Sequence, residues 1–96
     1  MVKLVKVVPS TNFTKKYDAH FNDNGREFKT SFGDSTAEDY TQHGDIERRK
    51  AYRSRHKKDL ETDDPTRAGY LSYYILWGDD KSIRKNIVLY KRRFDL

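Results

Sequence analysis

The dipeptide Asn24-Gly25 constrains the fold more than any other feature of this chain. It stands between two alternating runs, and Asn-Gly is the preferred centre of a two-residue type I′ hairpin turn, whose central residues both take positive φ. With that turn fixed, Phe21 lies opposite Phe28, Ala19 opposite Thr30 and Tyr17 opposite Phe32, all on one face. The other face receives Asp18 with Ser31, His20 with Lys29 and Asn22 with Glu27, a wholly polar set. A slip of one residue would send Phe28 and Phe32 to the polar side while Tyr17 and Phe21 stayed inside, so the pattern selects one register. The greasy face of such a sheet has to be covered by the rest of the chain.

Ahead of the hairpin, the β-branched run Val2 to Val8, closed by Pro9, reads as a first strand. Gly33 to Thr36 is a turn cluster, and a short helical turn over Thr36 to Tyr40 is expected, capped by Ser35 or Thr36. Asp45 opens a helix that the sequence carries to Leu60, with a narrow apolar stripe of Tyr52, His56 and Leu60. Asp64-Pro65 reads as an N-cap followed by proline at the first helical position, leading Ala68, Leu71, Ile75 and Leu76 inward until Gly78. Ser82 caps a last helix with Ile83, Ile87, Tyr90 and Phe94 on its apolar side. The expected class is α+β, a single domain: an N-terminal antiparallel β-meander over 2–33 and a C-terminal helical half over 45–95 packed on its aromatic face.

Ninety-six residues suffice for one domain, and 34% apolar against 36% charged residues is a thin supply of core. Seven tyrosines, five phenylalanines and one tryptophan offset this, since each buries roughly 150–250 Å². The longest apolar stretch, Tyr73 to Trp77, is far below the roughly 20 residues of a membrane span. The first nine residues interleave lysine with valine and do not read as a signal peptide, and there is no cysteine. The expectation is a protein that is not secreted and uses no thiol chemistry.

Charge is distributed unevenly. Residues 1–47 hold six Lys/Arg and eight Asp/Glu, whereas residues 48–96 hold fourteen and seven. The densest run, Arg48 to Lys58, has seven bases and no acid. Two readings of it stay open: a mostly solvated helix that needs charged residues and pairs some of them with Glu47, Asp59 and their neighbours, or a surface for an anionic partner. A membrane surface fits least, because bases lie on nearly every side of the helix. No sequence-specific DNA- or RNA-reading signature is present, so nucleic acid would be held mainly by phosphate. The candidate contact residues are Arg48, Arg49, Arg53, Arg55, Lys57 and Lys58, then Arg92 and Arg93; Tyr70, Tyr73 and Tyr74 lie on about two sides of one helix, so at least one is expected to face a partner.

Nothing in the sequence points to catalysis. His20, His43 and His56 have no metal-like spacing, and the pairs Asp63-Asp64 and Asp79-Asp80 precede helix starts, where carboxylates are favoured anyway. Asn22-Asp23-Asn24-Gly25 lacks the spacing and terminal Glu of a calcium loop. No nucleophile elbow or phosphate loop occurs. The expectation is a non-enzyme with no cofactor, metal or small-molecule substrate.

The segments Lys16 to Phe21, Arg26 to Gly33, Asp39 to His43, Glu47 to Leu60, Asp64 to Ser72, Ile75 to Gly78 and Tyr90 to Phe94 together resemble a family of small basic proteins. These are encoded by nucleocytoplasmic large DNA viruses, chloroviruses among them. The resemblance implies a viral protein of the virion, and for an icosahedral particle a minor capsid protein that binds neighbouring capsid proteins. The competing expectation is a basic protein that binds the viral DNA or RNA without sequence specificity. A third is a host-directed effector that binds an acidic protein.

Overall fold

The computed structural model describes residues 1–96. Three strands, β1 (Val2–Pro9), β2 (Lys15–Asp23) and β3 (Arg26–Asp34), form an antiparallel sheet in the order β1-β2-β3. The hairpin register is the expected one, pairing Tyr17 with Phe32, Ala19 with Thr30 and Phe21 with Phe28. Asn24 and Gly25 have φ of 54° and 92°, and the Asn22 side chain accepts the Gly25 amide at 2.8 Å. In β1 the register shifts between Leu4 and Lys6, leaving Val5 unpaired and exposed. The bulge resets the alternation, so Leu4 and Val7, three residues apart, oppose Phe21 and Ala19 on the core face.

The opposite face departs from the simple polar expectation at Asp18. Its carboxylate is 2% exposed because the loop between β1 and β2 folds over it. Ser10 and Ser31 each donate to Oδ1 at 2.6 Å, the Thr11 amide donates to Oδ2, and Lys29 Nζ lies 3.6 Å away. These hydroxyl donors, foremost Ser10 and Ser31, outweigh burial and hold the Asp18 carboxyl at about 2.

The helical layer comprises α1 (Tyr40–His43), α2 (Ile46–His56), a 3-10 turn (Lys57–Thr62), α3 (Ala68–Leu71), a π-helical turn (Ser72–Leu76) and α4 (Ile83–Arg93). Leu71, Ile75 and Leu76 belong to the same buried cluster as Leu4, Ala19, Phe21 and Phe32. The α+β expectation therefore holds, with the most buried helical segment packed against β3.

Four local expectations need correction. The first short helix is Tyr40–His43 rather than Thr36 to Tyr40, and it is capped by Asp39 rather than Ser35 or Thr36: the Asp39 side chain accepts the Thr41 amide, and the Gln42 side chain returns to the Asp39 amide in a capping box. The helix from Asp45 is α-helical only to His56, and the 3-10 turn that follows ends at Asp63, whose φ is 55°. Pro65 is not the first helical residue. Asp64 closes a turn by accepting the Thr66 amide and hydroxyl, and the Pro65 carbonyl accepts the Tyr90 hydroxyl, so α3 begins at Ala68. The segment after Leu71 then loosens to π-helical spacing, with the Trp77 amide reaching Ser72 O at 3.0 Å.

A candidate anion-binding surface

Asp45 starts α2 by accepting the Glu47 and Arg48 amides at 3.0 and 3.2 Å. From there the helix presents two sides. One side is the inward stripe, where Tyr52 stacks on Trp77 with centroids 4.2 Å apart and planes 6° from parallel. His56, one turn on, stacks on the other face of Tyr52 at 4.2 Å. His43 closes the far end beside Trp77, its Nδ1 accepting the Asp45 amide and its Nε2 buried without a partner between the Trp77 and Tyr40 rings. Burial first, then the Asp59 charge, pushes the Tyr52 hydroxyl up to about 12.

Arg49 and Arg53 flank this stripe and are engaged within the molecule. Arg49 Nε donates to Gly78 O and its terminal nitrogen to Asp79, both at 2.6 Å. Arg53 reaches the same Asp79 oxygen at 3.3 Å and lies over the Tyr73 ring, 4.5 Å from the centroid. Both arginines were candidate contacts; the structure shows them tying α2 to the 78–79 loop. Asp79, expected beside a helix start, is instead the centre of this clamp, whereas Asp80 does serve α4 by accepting the Ser82 amide at 2.8 Å. Gly78 is required at the junction, since a Cβ there would stand 2.1 Å from Tyr74 O.

The remaining cations point outward. The ion pairs on α2 and the turn after it are Arg49 and Arg53 with Asp79, Lys50 with Glu47 and His56 with Asp59; Arg48, Arg55, Lys57 and Lys58 have none. All four are exposed. Arg48 and Arg55 border a cleft of about 540 Å³ that Tyr52, His56 and Trp77 also line, together with Asp34, Glu38 and the Lys16–Asp39 pair. Arg55 also joins Lys57 and Lys58 around a shallow depression beside Leu60 and Glu61.

The tyrosine candidates divide. Tyr70 and Tyr73 are 5% and 8% exposed, so neither offers a ring to a partner. Tyr70 donates to Leu60 O at 2.6 Å and packs edge-on against Phe94. Burial raises its pKa, and burial also raises that of Tyr90. Tyr74 is half-buried and stands with Arg92 and Arg93 around a cleft of about 380 Å³, Arg93 lying 4.9 Å from its ring centroid. The fold thus brings Tyr74 beside the adjacent pair Arg92 and Arg93 of α4.

Sequence reasoning passed over two residues. Asn86 is 1% exposed and staples the end of the π turn to α4, donating to Ile75 O and Asp80 O and accepting the Asp80 amide. Its only sequence signal is a polar residue one position before Ile87 on the inward side of α4. Phe13 is 90% exposed at the tip of the loop over Asp18, a loop held by Ser10 and Asn12 side chains. An aromatic among Ser, Thr and Asn in a turn was the available signal.

A family profile described as a family of unknown function (DUF5754) matches residues 5–56, from the bulge of β1 to the end of α2. The chain belongs to this family. The DUF5754 region takes in β1 from its bulge onward, β2 and β3, the loop bearing Phe13 and the outward bases Arg48 and Arg55, and stops before Lys57 and Lys58. No curated protein and no solved structure matches the chain. Within the DUF5754 region, Arg49 and Arg53 depend on Asp79 beyond it, so α2 is seated by the part of the chain that follows.

Proposed function

We propose that the protein is a non-enzymatic, nucleic-acid-associated structural component of a large DNA virus particle, holding phosphates on the outer side of α2 and the turn after it. The observation that carries this reading is the sorting of one basic run into two sets. Arg49 and Arg53 serve the fold, while Arg48, Arg55, Lys57 and Lys58 lie exposed with no carboxylate of the chain paired to them. Such a surface attracts a polyanion through counterion release and reads no sequence. The test is binding of nucleic acid at low salt with loss of affinity as salt rises, equal for unrelated sequences.

A second reading, a minor capsid protein that binds neighbouring capsid proteins, is favoured by Phe13. A ring displayed at 90% exposure on a hydrogen-bonded loop is suited to insertion into a protein socket, since its loop needs little ordering on binding. The two readings separate in purified particles treated with nuclease and washed with salt. A capsid component stays at fixed copy number through the wash, and a phosphate binder leaves with the genome.

A further inference from the structure

The cleft beside α2 contains an aromatic surface that the phosphate contacts do not use. Tyr52 is covered on one face by Trp77 and on the other by His56, each at 4.2 Å, so neither Tyr52 nor Trp77 has a free ring face on that side. The stack ends at His56. Its Nδ1 edge meets Asp59 Oδ2 at 3.1 Å, one face rests on Tyr52, and its side chain is nonetheless 42% exposed. The exposed share therefore belongs to the outer face and the far edge of the imidazole. Arg55 and Lys57 are its sequence neighbours, and Arg48 and Arg55 line the same cleft of about 540 Å³. That volume falls in the range of roughly 300–1,000 Å³ typical of small-ligand sites.

We infer that His56 is a stacking platform for a base of single-stranded nucleic acid, whose flanking phosphates lie on Arg48, Arg55 and Lys57. This rests on the phosphate-binding reading and narrows it to single strands. A duplex keeps its bases stacked on one another and offers an imidazole only an edge; a single strand can turn a base out onto a flat ring. The rings behind His56 fix its orientation, which removes the rotamer cost that an isolated surface histidine would meet on stacking. Asp34 and Glu38 also line this cleft; their carboxylates repel phosphate and can accept a hydrogen bond from a ring N–H or amino group of a base, while Asp39, a third lining carboxylate, is paired with Lys16. The backbone is thereby directed to the α2 side and the base into the cleft.

The test measures binding at low salt of a fluorescein-labelled oligothymidylate, an abasic oligonucleotide of equal length and a duplex of equal length. Wild-type protein should bind the oligothymidylate about tenfold more tightly than the abasic strand, within the span of base stacking on a side chain. His56→Ala should remove that preference and leave duplex affinity unchanged, and His56→Phe should retain it. Retention of the preference by folded His56→Ala overturns the platform; if that variant fails to fold, His56→Phe against a Phe13→Ala control carries the same test, and loss of the preference in Phe13→Ala alone overturns it. Equal affinity for the abasic and thymidine strands overturns the platform while leaving the phosphate reading intact. Failure of all three nucleic acids to bind overturns both.

Discussion

Tyr52 and Trp77 lie face to face across the junction between α2 and the π-helical turn, ring centroids 4.2 Å apart and planes 6° from parallel. This contact is what a nearly all-charged helix uses to dock: α2 has no fully buried residue, and its apolar contribution is one half-buried ring and the histidine stacked on it. Replacing Tyr52 by Ala should therefore cost about 2–4 kcal/mol, near the lower part of the range for aromatic truncation because the ring is only half-buried. Arg55→Ala, on the same helix but facing water, should cost under about 0.5 kcal/mol. Urea unfolding followed by the fluorescence of Trp77, the sole tryptophan, measures both; equal midpoints for the two variants would mean that the stack does not seat the helix.

The Asp79 clamp makes a separate claim about stability. Arg49 donates to a backbone carbonyl as well as to Asp79, and Arg53 adds a tyrosine face. Changing both arginines to Gln should lower stability by about 1–3 kcal/mol, combining a charged hydrogen bond with partly exposed ion pairs and a cation–π contact. Changing Lys57 and Lys58 to Gln should leave the melting temperature in place. Calorimetry on the two double variants should separate them, and a common melting temperature would speak against any division of labour in the run.

The fold was legible where a periodic signal met a turn with a backbone requirement. Asn24-Gly25 set the register of Tyr17 to Phe21 against Phe28 to Phe32, and Ser82 marked the start of α4, where it accepts the Lys85 amide. What escaped the sequence depended on groups distant in the chain. Pro65 looks like a helix start until the Tyr90 hydroxyl, 25 residues away, takes its carbonyl. Asp18 looks like a surface residue until the loop of Ser10 and Thr11 closes over it. The same reason limited the reading of the candidate surface: all seven bases of Arg48 to Lys58 look alike in sequence, and only the position of Asp79 distinguishes Arg49 and Arg53 from the rest.

Asn86 makes three hydrogen bonds to the backbone around the π turn and the start of α4. Asn86→Ala would leave Ile75 O and the Asp80 backbone groups without these partners in a largely buried setting. The expected loss is about 2–3 kcal/mol, which for a domain of this size lowers the melting temperature by about 10–20 °C. A shift of only a degree or two would show that water replaces the side chain there.

Stability should fall off at both ends of the pH scale for identifiable reasons. The Tyr52 hydroxyl ionises near 10 in the unfolded chain and is held to about 12 in the folded one, so its contribution is complete below about pH 10 and is lost progressively up to about pH 12. Tyr70 and Tyr90, also raised by burial, act in the same direction. Asp18 works oppositely: its carboxyl is lowered to about 2, so the stabilisation is present above about pH 4 and disappears as the pH drops through about 2. Denaturation midpoints of wild type and Asp18→Asn against pH should converge in acid; curves that stay parallel below pH 3 would contradict this account of Asp18.

The outward bases are tested most directly by the salt dependence of nucleic-acid binding. For single strands, the slope of log K against log salt should be smaller by about 0.7 for each phosphate-contacting cation removed, so changing Arg55, Lys57 and Lys58 to Gln should reduce it by about 2. The Arg49 and Arg53 double variant, at a temperature where it remains folded, should keep the wild-type slope. A slope unchanged by loss of the three outward bases, or an equal reduction from loss of the two clamped arginines, would contradict the account.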